Sequence, residues 1–176
     1  MLVVSADWRV RMLVARLSAF LVDVAVTAAI IGTAQAALLA LGLNPVGGPI
    51  GQGQRHLWVA ATATLPALLY FVATSWLHGA TLGQRVTALR LLPLDGEGRV
   101  PMARLVLRFA LLLALFELVH TAMLHQALWA FIGVYVLAGA LGLSMLLHPE
   151  TRGLHDLVGG TRVVRRHGHP EVEEDD

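Results

Sequence analysis

The sequence predicts an all-α membrane protein: four transmembrane helices and a small cytoplasmic cap with room for a short β-hairpin. Three observations predict it. The chain of 176 residues is 56% hydrophobic and 14% charged, with a mean hydropathy of +0.67, whereas a soluble domain is about 25% charged. Four apolar segments have the length that crosses a hydrocarbon core of about 30 Å. The arginines gather in the connections that such a topology places on one side.

The first segment runs over residues 13–43, the second over 57–77, the third over 105–124 and the fourth over 127–147. The first is longer than a span requires, so it tilts or begins as an interfacial helix. Pro66 lies inside the second and is expected to kink it. His125 and Gln126 alone separate the third and fourth, which predicts a tight antiparallel hairpin. Arg9, Arg11 and Arg16 precede the first span, and the 78–104 connection carries Arg85, Arg90, Arg99 and Arg104. Arg152, Arg162, Arg165 and Arg166 follow the last span, while the other two connections hold only Arg55. This bias puts both termini and the middle loop in the cytoplasm, and the expected location is the plasma (cytoplasmic) membrane. The first apolar run is too long for a cleaved leader, so it is expected to be retained.

Residues 1–166 read as one membrane domain and 167–176 as an acidic, disordered tail. Within the middle loop, residues 88–94 have β character and Asp95-Gly96 is a turn signal. Residues 99–102 are the expected returning strand, and the 161–164 stretch is an expected further strand on the same hairpin.

Several function classes drop out. Without cysteine there is no disulfide, thiol nucleophile or Cys-based metal site. A net charge of +1 argues against a nucleic-acid partner. The Gly-rich stretch 44–53 lacks the Lys-Ser/Thr ending of a phosphate loop. No nucleophile motif accompanies His155 and Asp156, so no enzyme, metal or cofactor is expected.

The chemistry concentrates in a few charges. Asp23 lies in the first span, where an ionised group costs about 3 kcal/mol unless paired or wetted. Arg16 precedes it by seven residues, about 10 Å along the helix, too far for easy pairing. One reading pairs Asp23 with Arg85, Arg104 or Arg108 from another segment. The other makes it a protonatable carboxylate that binds a cation or proton. Glu117 and His120 share a face at i, i+3 and form a candidate outer station for ions or protons, or a plain hydrogen-bonded pair. A di-iron site needs that spacing twice and is rejected. Arg152 and Asp156 are expected to dock the tail against the loop arginines. Ala28, Gly32, Ala36 and Ala40 make a small-residue stripe on the first helix, and Ala138 with Gly142 do the same on the fourth. Such faces suit packing within the bundle, a homo-oligomer or a larger membrane protein complex.

Three stretches carry a resemblance. They are Arg16-Leu17-Ser18-Ala19-Phe20-Leu21-Val22-Asp23, then Gly79-Ala80-Thr81-Leu82-Gly83-Gln84-Arg85 with Ala88 to Leu92, and Arg152-Gly153-Leu154-His155-Asp156 with Gly160 to Val164. In order and spacing they resemble the RDD family of membrane proteins, whose one arginine and two aspartates would here be Arg16, Asp23 and Asp156. Gln84 stands where the family usually has lysine, and Ala88 and Gly159 replace its usual glycine and alanine. The resemblance implies an integral membrane protein, with ion transport of the sodium/proton-antiport type as one expected activity. A non-catalytic accessory role in a larger complex is the other.

Overall fold

The computed structural model describes residues 6–42, 58, 60–125 and 128–166. The Gly-rich 44–53 loop and the acidic 167–176 tail lie outside the described residues, as does the side chain of His120. The protein is mostly helical. Helix α1 spans Ala6–Ala40. A wide π-type turn over Ala60–Thr64 leads into α2, Leu65–His78. A short helix α3, Leu82–Val86, and strand β1, Leu89–Pro93, follow. Then come α4 over Met102–His125, α5 over Leu128–Leu147, the short α6 over Leu154–Val158, and β2 over Thr161–Arg165.

Two helices, over Asp7–Ala40 and Leu128–Leu147, are long and apolar enough to cross a membrane by length and composition. Helix α5 buries only Ala130 and Leu141 among its own neighbours. Trp129, Tyr135 and Leu147 are exposed on the isolated chain, an apolar surface that a water-soluble monomer would not carry.

Pro66 falls in the first turn of α2, directly after the π-type turn. Proline cannot donate to the carbonyl four residues back and clashes with it. Thr62 supplies that carbonyl, so a widened turn there accommodates the ring. At the other end of α2, Gly79 takes the left-handed conformation (φ 68°) and its N–H donates to the Ser75 carbonyl at 2.9 Å. Glycine adopts that geometry without the Cβ penalty.

The sheet differs from the expected hairpin in one respect. Strand β1 pairs antiparallel with β2, with Leu91 opposite Val163 at the centre of the register. Residues 99–102 do not return as a strand: Pro101 has no N–H to offer a ladder, and Met102 already begins α4. The sheet therefore ties the tail to the middle loop. Leu94 N–H to Gly160 O (3.0 Å) and Arg166 N–H to Ala88 O (2.7 Å) close its two ends.

The core gathers at this end of the bundle. Met12, Ala19, Val72, Leu89, Leu91, Leu105, Phe109 and Val163 are buried together. Burying each large aliphatic or aromatic side chain contributes about 1.5–3 kcal/mol. Phe71 stacks on Phe109 with centroids 5.1 Å apart, joining α2 to α4. The first turns of α1 belong to this cap, since Met12 is 1% exposed.

Candidate functional site

Two buried carboxylates, Asp23 and Asp156, organise the cap. Asp23 reaches from α1 to the start of α3. Its Oδ1 accepts the Tyr70 hydroxyl at 2.6 Å and the Gly83 N–H at 2.9 Å, and its Oδ2 accepts the Thr81 hydroxyl at 2.6 Å. Thr81 is the N-cap of α3. It accepts the Gln84 N–H at 3.2 Å, while Gln84 Oε1 accepts the Thr81 N–H at 3.0 Å. The Leu82 N–H donates to the Tyr70 oxygen at 3.3 Å. Thus every N–H from Thr81 to Gln84 has a partner, and the Asp23 carboxylate faces the positive end of a helix turn.

The approach is close. A Cβ on Gly83 would stand 2.0 Å from the Ala19 carbonyl oxygen and 2.9 Å from the Asp23 carboxyl carbon. Only glycine lets α3 lie that near α1.

Asp156 meets α1 two turns before Asp23, at Arg16. It is fully buried on α6, where Oδ2 accepts the Gly153 N–H at 3.0 Å and Arg16 Nη2 at 2.8 Å. Arg108 Nη1, from α4, forms an ion pair with Oδ1 and donates to the Thr161 hydroxyl at 2.7 Å. Arg16 Nη1 also donates to the Thr151 carbonyl at 2.5 Å. Thr151 holds a positive φ of 53°, unfavourable for a β-branched residue. Two guanidiniums against one carboxylate leave this cluster one positive charge in excess. His155 adjoins it, with Nε2 3.7 Å from Asp156 Oδ1. Burial, and then the charges of Arg108 and Arg16, push its pKa well below the ordinary 6.5, so the imidazole stays neutral.

The expected site residues are thus placed as follows. Asp23 meets no arginine among the described residues; its partners are neutral donors. Arg108 lies on Asp156, Arg104 forms a bidentate pair with Asp95 (2.8 Å to each oxygen), and Arg85 is exposed on α3. The Arg104 guanidinium holds Asp95 below the usual carboxylate range. Arg152 and Asp156 do not meet the loop arginines: Arg152 pairs with Glu150 at the surface, and Asp156 pairs with Arg16 and Arg108. The reason is geometric: Asp156 caps its own helix and faces the bundle, where Arg16 and Arg108 converge. Glu117 accepts the hydroxyl of Thr64 in the π-type turn. No group of His, Cys, Asp and Glu fit for a metal ion occurs among the described residues.

Sequence reasoning missed Tyr70, Thr81 and Gly83 around Asp23, and Thr151 and Thr161 around Asp156. The Thr81-x-x-Gln84 spacing was the available signal, since it marks a capping box.

Fold and site together define a helical membrane protein whose buried arginines and aspartates clasp a small cap to the end of the bundle. The family model for the RDD family matches residues 10–160. The chain belongs to the RDD family, whose members are membrane proteins. No curated protein and no solved structure matches it.

Proposed function

We propose that this chain is a four-span membrane protein that acts as a non-catalytic accessory subunit, packing against a larger membrane complex or against copies of itself. One observation carries the reading: Arg16, Asp23 and Asp156 are all buried and engaged inside the chain. A carrier carboxylate must exchange its partners in every cycle. Asp23 would have to release three donors, and hydrogen bonds to a charged group contribute about 1.5–3 kcal/mol each. These residues instead fix α3 and α6 to α1, which suits a rigid platform. The exposed apolar faces of α1 and α5, with their small-residue stripes, are the surfaces left for lipid and for a partner helix. The arginine bias supports cytoplasmic termini, in a plasma (cytoplasmic) membrane location taken as part of this reading.

Ion or proton movement through Asp23, with Glu117 as a second station, is the competing reading. It is favoured by the hydroxyls of Tyr70 and Thr64 on those two carboxylates. Photo-crosslinkers placed at Tyr135 and Leu146 on α5 test the accessory role. A protein adduct of one fixed mass in the native membrane is expected; adducts with lipid alone would contradict it.

A further inference from the structure

A cleft of about 250 Å³ that neither clasp uses opens where α2 meets the sheet. Ser75 and His78 line it from the last turns of α2, Arg90 from β1, Arg99 from the following loop, and Arg166 from the end of β2. The fold builds this gathering of bases. Gly79 turns the chain out of α2, and its carbonyl accepts the Leu91 N–H at 2.8 Å, which draws β1 under the helix end. The β1–β2 pairing then brings Arg166 beside Ala88.

Two independent features of the cleft call for an anion. First, Arg90, Arg99 and Arg166 converge on one cleft, and none has a carboxylate partner among the described residues; other arginines without one, such as Arg85 and Arg162, do not line it. Cations sharing so small a space repel unless an anion neutralises them. Second, the Ser75 hydroxyl is buried (the residue is 3% exposed) and has no partner among the described residues. Helical hydroxyls elsewhere in the chain bond back to the carbonyl four residues earlier, as Thr27, Thr33, Thr62 and Thr74 do. Ser75 lines the cleft with no such bond.

We infer that this cleft binds the phosphate of an anionic lipid headgroup. Guanidiniums match phosphate oxygens in forked pairs, and a serine hydroxyl adds a donor at the base. The position selects lipid over a free anion: exposed Trp76 and Leu77 flank the cleft on α2, as at a membrane–water interface. Basic pockets at the cytoplasmic level of helix bundles hold lipid headgroups for the same reasons. The inference rests on the four-span reading for its depth and sidedness.

The test uses the full chain in an uncharged detergent. Tryptophan fluorescence is titrated with short-chain phosphatidylglycerol, short-chain phosphatidylcholine and inorganic phosphate. Saturable phosphatidylglycerol binding is expected, at least about tenfold tighter than for the other two probes, the effect of a single charge-assisted bond or more. The Arg90→Gln/Arg99→Gln double variant, altered only at exposed positions, should melt like the wild type and lose about tenfold or more in that affinity. Ser75→Ala should weaken it by a smaller factor. Equal binding of both lipids, or an unchanged double variant, would overturn the site. Phosphate binding as tightly as phosphatidylglycerol would overturn the lipid assignment. Detergent micelles have no sidedness, so the four-span reading fails by a separate measurement: labelling of Glu97→Cys in this cysteine-free chain from outside intact cells.

Discussion

Gly83→Ala separates tertiary contact from helix propensity more sharply than any other change in this protein. Propensity alone favours alanine in a helix by up to about 1 kcal/mol. The structure reverses the sign. The new Cβ would lie 2.0 Å from the Ala19 carbonyl oxygen, and both groups are backbone or fixed to it. Reaching an ordinary contact of 3.4 Å moves α3 outward by about 1.4 Å. The Gly83 N–H bond to Asp23, now 2.9 Å, and the Thr81 bond, now 2.6 Å, do not survive such a shift. Losing two bonds to a carboxylate costs about 3–6 kcal/mol. Net of propensity, the variant should be less stable by about 2–5 kcal/mol. Thermal unfolding in detergent, followed by far-ultraviolet circular dichroism, should show a Tm lower by at least about 5 °C. Asp23→Ala combined with Gly83→Ala should cost much less than the two separately, because they remove the same bonds. A Tm equal to or above that of the wild type would refute the docking of α3 on Asp23.

Other outcomes follow from the Asp156 cluster and the turns. Asp156→Asn leaves two buried guanidiniums without a counter-charge and should cost about 3–5 kcal/mol. Arg108→Met leaves a one-to-one Arg16–Asp156 pair and should cost clearly less, which the same melts would measure. His155 titrates at about 6.5 when unfolded and well below that when folded, so its stabilising effect is fully present above pH 6.5. Stability should fall by about 1.4 kcal/mol per pH unit as pH drops through the window below 6.5, because only the unfolded chain takes up the proton. Melts of His155→Gln from pH 5 to 7 should lack that slope. Ala88 holds a left-handed φ of 54°, which costs an L-residue about 1–2 kcal/mol. Ala88→Gly should therefore raise stability by up to about 1 kcal/mol, and a lowered Tm would show that the strain is absent.

The helices were legible because apolar length and flanking arginines mark them directly. The strand at 161–164 was legible from β-branched residues beside a glycine turn, yet its partner was not fully so. Asp95-Gly96 suggested a local hairpin, whereas Pro101 ends any return and leaves β1 to the distant tail. Asp23 stood out by burial cost, and the family resemblance added Arg16 and Asp156. Their partners did not, because pairing depends on which helix face meets which. The expectation that a buried carboxylate seeks an arginine failed at Asp23. One backbone N–H of a five-residue helix, that of Gly83, and two hydroxyls met the need instead. Arg108 was one of three arginines named for Asp23, and the rotation of α4 gives it to Asp156.

The central claim is that Asp23 anchors the cap and does not carry ions. Sodium- and potassium-driven proton flux into proteoliposomes, measured for the wild type beside Asp23→Asn, tests it most directly when each sample is also melted. The account predicts no saturable flux from the wild type and a lowered Tm for the variant. Saturable flux that disappears in a variant melting at the wild-type temperature would contradict it.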